Sequence, residues 1–257
     1  MTDLPNVEMS GSLLHFSVFT LFPGIFAGPL DESILRRAQE RRLISVALHD
    51  IRDWTTDRHR TADDTPYGGG AGMVMAAPAI VAAVEETLAD EIARTRIIVM
   101  SAGGAPFTQS IAHELATSQR VALICGRYEG VDARAIEVLG AEELSIGDYV
   151  LTGGELAALV VIDAVSRLVP GVIESASLLD ESFQEPLLEY PHFTRPREFR
   201  GLAVPEVLLN GNHAAINRWR REAALLKTAR IRPDLLERLT LTKAEADLVA
   251  EALNGDG

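Results

Sequence analysis

Through the first two thirds of the chain, short runs of β-branched and aromatic residues alternate with longer stretches in which apolar positions recur every three or four residues. Leu14 to Phe22 (LHFSVFTLF) and Ile44 to Leu48 (ISVAL) read as strands, with an Arg- and Glu-rich helix from about Leu30 to Arg42 between them. Pro78 opens a helix through about Ile92, Arg96 to Met100 (RIIVM) is a buried strand, and Thr108 to Thr117 is a short helix. Val121 to Ile124 (VALI) is another buried strand, followed by a helix from Val131 to Leu139, a short strand at Leu144 to Ile146, and an apolar helix from Glu155 to Leu168. Strands alternating with helices predict an α/β fold whose parallel sheet is covered on both faces. Ligands of such sheets sit beyond the carboxyl ends of the strands.

Past Pro170 the pattern changes. Val172 to Tyr190 is acidic, lacks helical periodicity and reads as a linker. Beyond Pro205 the chain is helical again: an arginine-rich helix over Asn212 to Leu226, a second opened by Pro233, and a third capped by Thr242 and running to Leu253. The expected organisation is a disordered extension over residues 1–14, an α/β domain over 15–172, a linker over 173–190 and a small helical domain over 191–257.

Composition narrows the class. The 257 residues are 47% hydrophobic and 24% charged, in the range of globular proteins. The apolar run after Leu156 is broken by Asp163, and the N-terminus has neither a basic start nor an apolar core, so neither a membrane span nor a signal peptide is expected. A single cysteine, Cys125, fits a reducing cytoplasm. The net charge of −13 argues against nucleic acid when taken alone. It hides an asymmetry, because nine basic residues face three acidic ones between Pro191 and Arg232. Eight of those nine are arginines, at 195, 197, 200, 218, 220, 221, 230 and 232, whose planar forks suit phosphates and base edges.

Glycine marks where the chemistry could lie. Three loops follow buried strands: SAGGA from Ser101, CGRYEG from Cys125 and IGDYVLTGG from Ile146, while a fourth, YGGGAG, runs from Tyr67 to Gly72. Any one of them reads as an ordinary strand-to-helix turn, but three on one sheet edge imply a flat ligand approached closely by backbone. Neither GxxxxGK[ST] nor GxGxxG is present at a strand end, so the common phosphate-cradling and dinucleotide loops are excluded.

Five segments, taken in order, resemble one family. FSVFTLFPGIF, DDTPYGGGAGMVM, ICGRYEGVDAR, LSIGDYVLTGGELAALVVIDAVSRLVPGV and LLEYPHFTRPREFRG, with VPEVLLNGNHAAINRWRRE after them, are similar to the successive motifs of the bacterial tRNA (guanine-N1)-methyltransferases, the TrmD family. The resemblance implies a SPOUT-type α/β domain with a C-terminal trefoil knot, a homodimer with its active site shared between subunits, S-adenosylmethionine as methyl donor and a magnesium requirement. The substrate it implies is the anticodon branch of tRNA, methylated on the guanosine just 3′ of the anticodon. A catalytically silent RNA- or nucleotide-binding protein of the same fold is the alternative reading.

Residue roles follow from the same resemblance. Met100 and Ser101, then Gly126, Tyr128, Glu129 and Gly130, then Ile146, Gly147, Asp148, Tyr149, Val150, Leu151 and Gly153 are expected around the cofactor. Arg167 matches the catalytic arginine. The family's catalytic aspartate precedes Ser-Phe, and here Glu181 holds that place with Asp180 one residue earlier, so Glu181 is assigned as general base with Asp180 in reserve. Tyr67, Gly72, Glu189, His192 and Arg195 are expected to meet tRNA, although His192 reads equally well as a structural histidine. No spacing of His, Cys, Asp and Glu marks a site for the metal.

Overall fold

The computed structural model describes residues 13–174, 182, 183 and 185–255. The expected N-terminal extension therefore falls almost wholly outside the described residues, as do Asp180 and Glu181. The chain divides into two compact units that meet between Glu174 and Ser175.

The first unit holds strands β1 (Leu14–Thr20), β2 (Ile44–Asp50), β3 (Asp63–Asp64), β4 (Val74–Met75), β5 (Thr95–Pro106), β6 (Arg120–Cys125) and β7 (Glu142–Ser145), with helices α1 (Ser33–Glu40), α2 (Ala77–Leu88), α3 (Gln109–Ala116), α4 (Ala133–Leu139) and α5 (Glu155–Ser166) between them. Five strands form one parallel sheet in the order β2-β1-β6-β5-β7. Both faces are apolar, as the unbroken strand runs require. Val121, Leu123 and Cys125 of β6 pack with α1, α3 and α5, whereas the alternate residues Ala122 and Ile124 pack with α2 and α4. The two-residue pair β3 and β4 is antiparallel and lies outside this sheet.

Local chemistry sets the helix ends. Thr108 and Asp132 cap α3 and α4 through side-chain oxygens that accept from Ile111 N–H and Arg134 N–H. Ala89 takes a positive φ of 44°, which stops α2 short of the predicted Ile92 and passes the chain into a 3-10 turn. The largest departure from the sequence pattern is β5. Predicted to end at Met100, it continues to Pro106, so SAGGA is not a strand-to-helix turn. Met100 and Ala105 both pair with Leu144 of β7, and the residues between them bulge out around that point.

In the second unit, a two-stranded hairpin of β8 (Glu198–Phe199) and β9 (Leu202–Ala203) precedes α6 (His213–Ile231), α7 (Pro233–Leu236) and α8 (Lys243–Gly255). Asn212 caps α6 by accepting from Ala215 N–H at 3.2 Å. Leu187 packs with Ala224, Leu225 and Ala229 of α6 and with Val249 of α8, and Tyr190 lies against the same cluster.

Candidate functional site

A cavity of about 420 Å³ opens at the carboxyl ends of β5, β6 and β7, within the size range of small-molecule sites. Three segments wall it: Val99 to Gly103, Gly126 to Val131, and Glu143 to Gly154 without Asp148, closed by Ile136 and Ala157. Twelve of the thirteen residues expected around a cofactor therefore lie together. Asp148 stands apart as an exposed residue of the turn that is not part of the lining.

The walls are tied to one another by main chain. Gly154 N–H donates to the Gly126 carbonyl at 2.8 Å, and Arg127 and Gly153 form an antiparallel bridge. A Cβ added to Gly104 would lie 2.5 Å from the carbonyl carbon of Glu143, so that strand crossing depends on a missing side chain. Tyr128 sits half exposed at φ 58°, a strained position for a residue with a side chain, at the mouth of the cavity. Ser145 Oγ and the Gly147 backbone close a tight turn, and the Tyr149 hydroxyl donates to the Ile146 carbonyl at 3.3 Å.

Electrostatically, the cavity wall is built around one ion pair that the sequence pattern did not single out. Glu155, 1% exposed, lies against Arg127. Close by, burial and then the Glu155 charge push the Cys125 thiol well above its usual range, which leaves it a neutral core residue and no nucleophile. Among the described residues Arg127 is the cavity's one basic lining residue, and its guanidinium is already engaged by Glu155 and the Thr152 carbonyl. Apolar walls from Val99, Met100, Ile136, Ile146 and Leu151 beside exposed stretches of backbone suit an adenosine, whose edge main-chain N–H and C=O groups can read. Among the described residues, no group of three or more His, Cys, Asp or Glu is placed to hold a metal ion.

The YGGGAG segment reaches this site from a neighbouring loop. Glu129 N–H donates to the Met73 carbonyl at 3.0 Å and Met75 N–H to the Gly130 carbonyl at 2.9 Å, while the Glu129 side chain lies over the backbone of Gly72. Tyr67, at the far end of that loop, is 98% exposed.

Arg167 is elsewhere. It caps the C-terminus of α5, whose first turn touches the cavity, and 12 residues of helix at 1.5 Å each put it about 18 Å along the axis from Glu155. In the second unit, His192 Nε2 lies 2.5 Å from Glu189 Oε1, and its ring stands 4.8 Å from that of Tyr190. Lys227 donates to the Glu189 carbonyl and the Arg220 guanidinium covers the Tyr190 ring, so this segment is fastened to α6. Arg195 is exposed.

Known proteins place the chain. A family model described as tRNA (Guanine-1)-methyltransferase TrmD matches residues 14–238. A Thermomicrobium roseum protein named tRNA (guanine-N(1)-)-methyltransferase is 64% identical over 236 residues, which cover 92% of this chain and 88% of its own. Relatives with the same name from Chloroflexus aggregans and Geobacter sp. strain M21 are 56% and 51% identical, covering 93% and 95% of this chain and 95% and 98% of theirs. The chain belongs to the TrmD family of tRNA (guanine-1)-methyltransferases.

Proposed function

We propose that this protein methylates N1 of the guanosine immediately 3′ of the anticodon, position 37 of tRNA, with S-adenosylmethionine as the donor. One observation carries the reading: the GRYEG and IGDYVLTGGE segments wall a single cavity at the carboxyl ends of the strands.

When bound there, the donor supplies an electrophilic methyl on a sulfonium. The chain has to hold it in line with N1, remove the N1 proton and stabilise the charge that develops on O6. The loops at Met100, Gly126 to Gly130 and Ile146 to Gly153 serve the first need by fixing the adenosine. Glu181 serves the second, with Asp180 in reserve, both lying outside the described residues. Arg167 serves the third, since a guanidinium can donate to O6 or to a flanking phosphate.

The position of Arg167, about 15 Å along α5 from Ala157 of its own cavity, supports a site completed by a second subunit. Leu156 and Val160, one turn apart on α5, are 54% and 47% exposed, and Val150 beside the cavity is 88% exposed. We infer that a second copy covers this apolar row, so that Arg167 of one subunit serves the cavity of the other.

A trefoil knot is the finer fold we propose for residues 15–172. Its support is the bulge of β5 around Leu144 and the close approach of Gly154 to the backbone of Cys125 and Gly126. The segment 173–190 is then the linker and 191–257 the RNA-binding domain, with Glu189, His192 and Arg195 toward the anticodon branch and Tyr67 and Gly72 beside the target base. Magnesium enters only as the family's requirement, and no step here is assigned to it. Among the described residues no helix is long and apolar enough to cross a membrane, and a cytoplasmic setting is part of the same proposal.

The test is incubation with an unmodified tRNA transcript and the donor, followed by nucleoside mass spectrometry. Appearance of 1-methylguanosine is the expected result. Donor binding without transfer would replace this reading with that of a catalytically silent binding protein.

A further inference from the structure

Glu155 is an acid in the wrong surroundings. It begins α5, a helix whose other buried residues are Ala157, Ala158, Val161, Ile162, Val165 and Ser166, and burying an unpaired carboxylate there would be costly. The structure gives it three attachments. Its Oε1 accepts from the Thr20 hydroxyl at 2.8 Å and from Arg127 Nε at 3.1 Å, while Oε2 lies 3.0 Å from the same Nε as an ion-pair partner without a hydrogen bond of its own. The positive end of the α5 dipole adds to this field.

Arg127 is the other half. Its side chain is 16% exposed, it lines the cavity, and its Nη1 donates to the Thr152 carbonyl at 3.0 Å. Its guanidinium also rests on the Phe22 ring, 4.5 Å from the centroid. The arginine thus joins the loop after β6 to the loop before α5 and presses both on the end of β1. Arginine suits this clamp because its planar fork reaches three partners at once. It also places a full positive charge in the wall of a cavity which, on the function proposed above, receives a positively charged sulfonium.

We propose that Glu155 is a positioning residue that acts through Arg127: it holds the guanidinium in the wall between the two loops and cancels the charge that would otherwise repel a cationic cofactor. The inference rests on the cavity being the S-adenosylmethionine site. It sets an affinity preference, because the demethylated product S-adenosylhomocysteine has the same shape but a neutral thioether.

Calorimetric titration of the full chain with both ligands tests it. Glu155→Gln retains the volume and an acceptor for Thr20 but removes the charge. It should weaken S-adenosylmethionine by about tenfold, the scale of one unscreened charge near a low-dielectric wall, and S-adenosylhomocysteine by less than about threefold. Equal weakening of the two ligands would mean that Glu155 only supports the fold and would overturn the inference, as would no weakening of either. Should Glu155→Gln fail to fold, the double variant Glu155→Gln with Arg127→Met carries the test: with both charges gone, the ratio of the two affinities should match wild type, and a changed ratio overturns the proposal. Wild type that binds neither ligand removes the cofactor reading itself, an outcome distinct from equal loss in the variant.

Discussion

Gly154 and Cys125 approach so closely that a Cβ on the glycine would lie 2.8 Å from the cysteine Cα. The start of α5 thus passes the end of β6 at backbone contact, with Met100 Cβ 3.0 Å from the same point. Two effects oppose each other in Gly154→Ala. The residue has φ −76° and ψ −9°, which alanine adopts without strain, and the lower entropy of the unfolded chain favours it by about 0.4–1 kcal/mol. Backbone on the far side cannot give way, and overpacking of this kind costs about 1–3 kcal/mol. The clash is the larger effect, so Gly154→Ala should lower the urea midpoint and weaken donor binding, whereas a raised midpoint would show that the passage is looser than described.

Arg167 separates a site built within one subunit from a site built between two. Arg167→Ala leaves the cavity intact, and Gly103→Trp, placed where a Cβ meets nothing nearer than Ser101 Oγ at 3.9 Å, is designed to fill it. Each variant alone should be inactive. Mixed dimers unfolded and refolded together should regain activity, because the intact cavity of one subunit then meets the intact Arg167 of the other. Continued inactivity in verified mixed dimers would place Arg167 at its own cavity or outside the reaction.

Glu245 gives a pH dependence with a definite sign. Arg221, with its Nε 2.9 Å away, and then the backbone and hydroxyl of Thr242 hold the carboxyl down from 4.5 to about 2. A group depressed on folding adds stability that is complete above its unfolded value and is lost as pH falls toward the folded one. Thr242 and Glu245 also form the reciprocal cap of α8. Glu245→Gln should cost about 1 kcal/mol at neutral pH. The gap from wild type, read from urea midpoints, should close as pH falls from 4.5 to about 2. A gap independent of pH would assign the loss to packing.

Exposed Arg195 should act on tRNA through phosphate. Arg195→Ala should weaken binding to every tRNA alike and reduce the slope of log affinity against log salt by about one. An unchanged slope would remove this residue from the backbone contacts.

The sheet was legible because its strands are buried on both faces: VALI and RIIVM are apolar runs too short for a buried helix and rich in β-branched residues. The three glycine loops were legible as a group for the same reason, since parallel strands bring their ends to one edge. The path of β5 was not, because SAGGA carries the residues of a turn while its glycine serves a close crossing that only the fold reveals. Glu155 escaped notice since an acid at a helix start is ordinarily solvated, and nothing local discloses that Thr20, 135 residues away, completes its shell. Asp148 shows the reverse: it sits inside a motif that walls the cavity, yet it lies in the turn after β7 and is exposed to solvent.

Primer extension tests the central claim most directly. A methyl on guanine N1 removes the donor used in Watson–Crick pairing, so reverse transcriptase halts one nucleotide before it. After incubation of a transcript with the protein and S-adenosylmethionine, a single donor-dependent stop should map to the guanosine 3′ of the anticodon and should vanish when that base is adenosine. A stop at any other guanosine, or one that survives the substitution, would contradict the account.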